Sequence, residues 1–511
     1  MNPKLKAGCR WSTIILAGLA VLTGLFYAEE NWRGKRAWEN FKRESEAKGE
    51  RLDWQSVVPS CVPDEQNFAL TPIVFTSYGQ SLTRDGKSIP SDKQDTNFVN
   101  RLKMDIYFDV SEELTPTNEF GSWARGTKTD LKIWQQFYRA VASPTNGILI
   151  PPQPQSPAAD VLLALDKYDS TVEELREAAK LPYSRFPLEY EKDCPAAILF
   201  PHLAALKKCS QVLSLRACAE LQNGQSKKAL DDVKLSLRLM DSIRNEPFLI
   251  SHLVRFAIFQ INLRTIYEGL AEHQWLDSQL IELESELEKQ DFLTDWLASM
   301  RGERAWDVAT IDWLRHSGKN ISTVFYGSNL DFWFVLLTCG PSGWLEQNKV
   351  RICSFYPNFF AVVDLKKKTV SPANVRQADE VLELERSHLT PYNYLENIFL
   401  PALGACAKKA AYTQAAADMA RTALALERYR LAHGNFPDSL TALVPQFLAQ
   451  IPHDVIGGQP LKYRRTDDGR FVLYSIGWNE TDDGGVVAFR KNSAHSLDNE
   501  NGDWVWRYPE K

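Results

Sequence analysis

The chain has 511 residues, 44% hydrophobic and 24% charged, with a net charge of −6 and a pI near 5.9. That is a globular composition, long enough for about two or three domains, and it lacks the basic stripe that a nucleic-acid partner requires. Fifteen Trp and 25 Phe exclude a disordered chain and call for large buried aromatic surfaces.

Residues 1–10 form a short head with Lys4, Lys6 and Arg10. Residues 11–28, Trp11 to Ala28, carry no charge. At 1.5 Å per residue this run spans about 27 Å, enough to cross a bilayer. Trp11 and Tyr27 stand at its ends, where interfacial aromatics belong. A cleaved signal peptide is the rival reading. Its boundary would follow Phe26-Tyr27-Ala28, with a bulky Phe where a small residue is wanted. An uncleaved single-pass anchor is therefore expected, in a bacterial inner membrane. Cys9 precedes the apolar run, so it is not a lipoprotein site. The head has three Lys/Arg, and residues 29–53 have seven Lys/Arg and seven Asp/Glu. Charge counting alone does not set the orientation. A short head before a signal-anchor favours a cytoplasmic N-terminus and an extracytoplasmic body, by analogy with other envelope proteins.

Residues 29–157 read as a juxtamembrane helix, to about residue 54, followed by a mixed region. Trp32, Trp38, Phe41, Leu52 and Trp54 fall partly on one helical stripe. Residues 55–150 have no sustained period and are expected to wrap a later domain. Pro151 to Pro157 is a stiff, extended connector. Residues 158–400 read as a helical domain. Asn223-Gly224 separates two strong helices, 200–222 and 226–243. Ala217, Gly224, Ala229 and Val233 match a tetratricopeptide hairpin once, without repetition. The apolar runs Phe332 to Leu337 and Phe355 to Phe360 are too short to span a membrane and are expected in a core. Residues 401–511 open with a long Ala-rich helix, 402–433, stopped by Gly434. A small α+β head follows, with strands 461–465 and 471–475 and the hairpin turn Asp467-Asp468-Gly469. The fold class expected is mostly α: a transmembrane helix, an irregular all-α middle domain and a small α+β C-terminal head.

No HExxH, GxSxG, Walker A or GxGxxG pattern occurs, and no two of the eight His share a helical turn. His252 and Arg255, with Glu246 nearby, read as a buried polar network before they read as a catalytic cluster. His453-Asp454 lies in a turn, where such residues cap backbone groups. Glu282, Glu284, Glu286 and Glu288 form a charge run on a helix. The eight Cys have no zinc spacing. Cys339 and Cys353 either pair in an oxidising compartment or stand as free thiols. No catalytic assignment results. A scaffold or binding protein is expected, with a possible envelope protein partner. The alternative is an enzyme whose residues are scattered through 158–400.

In the last 90 or so residues Glu427, Tyr429, Gly434, Pro437, Leu440, Leu443, Val444, Pro445, Pro452, Asp454, Gly457, Pro460, Tyr463 and Gly477 follow one another in order. That order resembles the globular head of the major pseudopilins of type II secretion, over about a sixth of the chain. The whole chain also resembles uncharacterised membrane-anchored bacterial proteins with the same tail, which bring no activity with them. The pseudopilin long helix begins in the membrane behind a cleaved leader. Here it begins near residue 402 and is polar, so a filament subunit is not expected. In that family the Asp-rich loop holds calcium. The resemblance implies ligands among Asn479, Asp482 and Asp483 in one loop and Asp498, Asn501 and Asp503 in the other. Hard oxygen ligands in turns suit that ion. Solvated turns rich in Asp, Asn and Gly are the plain alternative. Trp504 and Trp506, on one face of a strand, serve either as exposed recognition rings or as a lock on the core.

Overall fold

The computed structural model describes residues 3–75, 80–82, 88–90, 102–108, 115–116, 120–143, 147–148, 150–191, 195–317, 339–386, 389–400, 403–491 and 493–508. The apolar run Phe332 to Leu337 lies outside the described residues. Helix dominates and the strands are short, so the chain is mostly α, with an N-terminal apolar helix and small C-terminal sheets.

Helix α1, Pro3–Ala47, is continuous. It contains the one helix among the described residues long and apolar enough to cross a membrane, and no residue of its apolar run, Trp11–Ala28, is buried. The aromatic stripe predicts a juxtamembrane helix to about residue 54. The helix ends at Ala47, and Leu52 and Trp54 are instead buried beyond a turn. The described residues between 55 and 150 pack against the body, burying Phe68, Ile73, Trp123 and Trp134. Among those described residues the one regular helix beyond a single turn is α2, Leu131–Val141, capped by Asp130. Arg139 ties the extended connector down through the carbonyls of Pro151 and Pro152. Ser156 then caps α3, Pro157–Leu165, and α4, Asp169–Ala178, follows.

Three long helices make the next layer: α5, Pro201–Gln222, α6, Ser226–Asp241, and α7, Leu249–Ala271. The turn between α5 and α6 needs a left-handed residue, and Gly224 supplies it at φ +71°. Cys209 and Cys218 are both buried on α5 but meet different partners, Leu102 and Thr265. Helices α8, Asp277–Glu288, and α9, Phe292–Ser317, come next. Then follow α10, Gly343–Phe360, a two-residue hairpin of β1, Val363–Asp364, and β2, Thr369–Val370, and α11, Pro372–Arg386. Phe355, Tyr356 and Phe359 are buried, as their run predicts. Cys339 and Cys353 are free thiols, one exposed and one buried.

Helix α12, Leu403–His433, is the axis of the body. It packs against α7, α8, α9 and α11 at once. Where its middle is surrounded, such a helix needs small residues on every face, and its alanines provide them. The polar character read from its sequence is satisfied locally. Arg421 pairs with Glu284 and Glu288, Arg428 with Asp277, and Glu427 accepts from His273 at 2.9 Å and Arg430 at 2.7 Å. The glutamate run of α8 is thus partly an ion-pair face.

In the head, β3, Lys462–Arg465, β4, Phe471–Ser475, and β7, Trp504–Trp506, form an antiparallel sheet in the order β3-β4-β7. Strands β5, Val487–Arg490, and β6, Ser493–Gly502, make a second ribbon. Gly469 turns the β3–β4 hairpin at φ +79°. Trp504 and Trp506 are locks. Trp506 stacks on Trp123 at 5.6 Å and meets Tyr267 edge-on, while Trp504 packs on Tyr412. One hydrophobic cluster runs from Trp54 to Trp506, so the head shares its core with the helical body.

The polar half of α1 lies along α10. Neither helix has a side chain where they cross. A Cβ on Gly34 would stand 2.2 Å from the Gly343 carbonyl oxygen, and one on Gly343 would stand 2.0 Å from that of Glu30. Asn31 accepts from the backbone N–H of Gly343 at 2.9 Å and from Ser342 at 3.1 Å, capping α10 from outside. Glu30 is buried and accepts from Trp344 Nε1 at 2.9 Å and Arg33 at 2.6 Å. Gly343→Leu should force the helices apart at a cost of about 1–3 kcal/mol or more. Limited trypsinolysis should then cut at Lys35 and Arg36 faster than in the parent. Gly24→Leu, where a Cβ meets nothing within 4 Å, should leave the cutting rate unchanged.

Candidate functional site

The pairing of β7 with β4 sets Ser475 opposite Trp504 and brings Asp503 against the 477–486 loop. The Asp503 carboxylate accepts from the backbone N–H of Gly485 at 2.6 Å and of Asp483 and Val486, both at 3.3 Å. Burial raises its pKa and the three N–H donors oppose this. The nearby Asp483 raises it further, and the net shift is upward. Asn479 Nδ2 donates to Asp483 Oδ2 at 2.9 Å. Asn479, Asp483 and Asp503 are therefore brought together.

The other three residues go elsewhere. Asp482 accepts from the Tyr474 hydroxyl at 3.0 Å and pairs with Lys462 at 3.2 Å. Asp498 accepts from Asn501 Nδ2 at 2.9 Å on β6, where the Lys408 ammonium feels its charge. The six residues do not converge on one point. Among the described residues no group of three or more His, Cys, Asp or Glu is placed to hold a metal. Of the six, Asn479, Asp483 and Asp503 are the ones linked to one another by hydrogen bonds.

Glu246 is the centre of a buried network. Its carboxylate accepts from Ser251 and bonds His202 Nε2 at 2.8 Å, and its carbonyl meets His252 Nε2 at 3.1 Å. All four residues are buried, and burial beside Arg255 pushes the His252 pKa down to about 3. The serine donates to the carboxylate instead of to a histidine, so nothing activates it as a nucleophile. Arg255 turns to Asp295 at 2.8 Å and Asp241 at 3.3 Å. This network joins helices, as the sequence reading expected. Asp454 likewise serves its turn, accepting from Ser475 at 2.7 Å and from the backbone N–H of Ile456 and Ile476 at 2.9 Å.

His453, by contrast, opens on a cavity of about 300 Å³ where the α8–α9 turn, the β1–β2 turn, α12 and the 450–453 loop meet. Its walls include Asp291, Lys366, Lys368, Asp418, Arg421 and His453. Burial, with the nearby Asp291, raises the Asp418 pKa to about 7, against the pull of Gln414, Arg421 and Lys368. Gln414 donates to Asp418 at 3.2 Å and accepts from the Phe292 N–H at 2.9 Å, so α12 and the start of α9 fix this wall together. A carboxylate poised near neutrality in a charged cavity can exchange a proton with a ligand or hold a cationic group.

Sequence reasoning missed Asp418, Gln414 and Lys366–Lys368. The signal was present: a lone acid inside the alanine run of α12 is a charge on a face that must be buried. No family model, curated protein or solved structure matches the chain.

The sign of the Asp418 effect is fixed. Its folded pKa, about 7, exceeds the ordinary 3.8. Between those values the folded protein holds a proton that the unfolded chain has lost, so stability falls as pH rises through that window. Asp418→Asn should therefore melt higher than the parent above about pH 8, and the gap should close as the pH falls towards about 4.

Proposed function

We propose that this chain is a single-pass protein of the bacterial inner membrane whose body works outside the cytoplasm as a scaffold or binding module. One observation carries the reading. The helix that is apolar enough to cross a membrane continues, without a break, into the α1–α10 contact of the body. A protein built this way presents its body at a fixed place on a membrane. The pseudopilin-like order of the tail supports a place beside secretion machinery, by fold analogy alone. The cavity at Asp418 and His453 offers a binding site for a small polar ligand.

A second reading has its own support. Titratable groups converge in that cavity, as an active site requires, and Asp418 would then act as the acid or base. Both readings meet one experiment. The full chain, purified from solubilised membranes with and without Asp418→Asn, is screened for small molecules retained by the parent only. A ligand recovered unchanged supports the binding module. A ligand recovered chemically altered overturns it in favour of an enzyme. Protease added to intact spheroplasts should remove the body, and its protection there would reverse the orientation.

Calcium at the head is a further part of the proposal, confined to Asn479, Asp483 and Asp503. The proximity of two carboxylates supports it. Added calcium should raise the melting temperature of the full chain relative to EDTA, and Asp503→Asn should abolish that rise. Asp498→Asn should not. Identical melts of the parent in calcium and EDTA would remove the ion from the reading.

A further inference from the structure

A second hollow, of about 700 Å³, lies where the end of the chain crosses the segment before α2. Arg507 donates its backbone N–H to the Trp123 carbonyl at 3.0 Å. A Cβ on Gly126 would stand 2.5 Å from the Tyr508 carbonyl oxygen. The two segments are thus in direct backbone contact. That contact gathers Arg125, Lys128, Lys132 and Arg507 round one hollow from distant parts of the chain.

One carboxylate, Asp130, shares this wall, and it is committed to the cap of α2, accepting from the Lys132 backbone N–H at 2.9 Å. Lys128 pairs with Glu272 at 2.7 Å. Arg125 donates to a neutral acceptor, the Phe120 carbonyl, at 3.2 Å. Lys132 is exposed and makes no ion pair among the described residues. Like charges held round one hollow repel, and a bound anion relieves that repulsion. Such a surplus stands out in a chain whose net charge is −6. Phe489, on β5, adds an exposed ring to the same wall, a face on which a flat group can lie. The volume exceeds what an inorganic ion fills and suits an organic ligand, for which pockets run to roughly 300–1,000 Å³.

We propose that this hollow binds a phosphate monoester, with the phosphate between Arg125 and Lys132 and the organic group against Phe489. A monoester carries close to two negative charges at neutral pH. That matches two cations with no carboxylate partner among the described residues. The planar arginine fork suits the terminal oxygens of such a group, and the lysine adds a point charge. A phosphate diester has one charge and fewer open oxygens. The difference separates a free phosphorylated small molecule from the diester headgroup of a phospholipid. The site is distinct from the cavity at Asp418 and does not depend on it.

The full chain, purified in a phosphate-free detergent, is titrated calorimetrically at one ionic strength with phenyl phosphate, inorganic phosphate and the diester glycerophosphoglycerol. Phenyl phosphate should bind most tightly. Lys132→Gln and Arg125→Gln should each weaken it about tenfold or more. Phe489→Ala should weaken phenyl phosphate and leave inorganic phosphate unchanged. Lys180→Gln, at an exposed lysine away from the hollow, should bind as the parent does. Lys132 is exposed, so its variant carries the test even where Arg125→Gln fails to fold. Unchanged binding by Lys132→Gln, or an equal loss in Lys180→Gln, overturns the site, as does the absence of binding by all three probes. Tighter binding of the diester overturns the monoester in favour of a lipid headgroup.

Discussion

Everything in this body is arranged round one requirement: the middle of a 31-residue helix, Leu403–His433, is enclosed by its neighbours. Enclosure removes the usual division of a helix into a wet and a dry face. Only small side chains let four neighbours approach together, so alanine dominates its middle. The polar residues that remain cannot reach bulk water freely and must be answered within the protein. Glu427 is answered by His273 and Arg430, and Arg421 by Glu284 and Glu288. For Glu427 burial pushes the carboxyl up, but those partners prevail and hold it below its usual range. Asp418 has Gln414 as its hydrogen-bond partner, and there burial prevails. The same helix thus supplies the rigidity of the core and the unusual acid in the cavity it shares with Asp291, Lys366, Lys368 and His453.

Local chemistry made much of the fold legible. The α5–α6 hairpin was marked by Asn223-Gly224, the β3–β4 hairpin by Asp467-Asp468-Gly469, and the long helix by its composition and Gly434. Each of these signals is local, so distant contacts cannot overrule it easily. What the sequence concealed depends on distance along the chain. Glu30 reads as a charge flanking an apolar run, and nothing in its surroundings announces that Trp344 Nε1 and the Tyr392 hydroxyl donate to it, at 2.9 and 3.3 Å. Gly34 and Gly343 are unremarkable until their helices cross. The tail reads as a separate module because its order is self-contained. Its Trp506 nevertheless sits against Trp123 and Tyr267, which come from two other parts of the chain.

The candidate sites follow the same division. The acidic residues of the tail were visible as types, but their partition was not. Strand pairing sends Asp503 to backbone N–H groups, Asp482 to Lys462 and Asp498 to Asn501. The cavity at Asp418 was harder to see because its walls come from four separated segments, and no spacing rule links residues 291, 366, 418 and 453. A convergence of that kind is a property of packing alone.

The unbroken passage of α1 from an apolar span into a capped, glycine-lined contact has a mechanical meaning. A flexible tether transmits tension only, whereas a helix with no hinge transmits bending and torque. In a membrane-anchored chain of this build, a change in tilt of the span becomes a rotation of α10. It then passes through α9 to α12, on which both the head and the cavity depend. Thickness and lateral stress of the surrounding lipid would be mechanical inputs to the core, with Glu30 and Asn31 as the coupling.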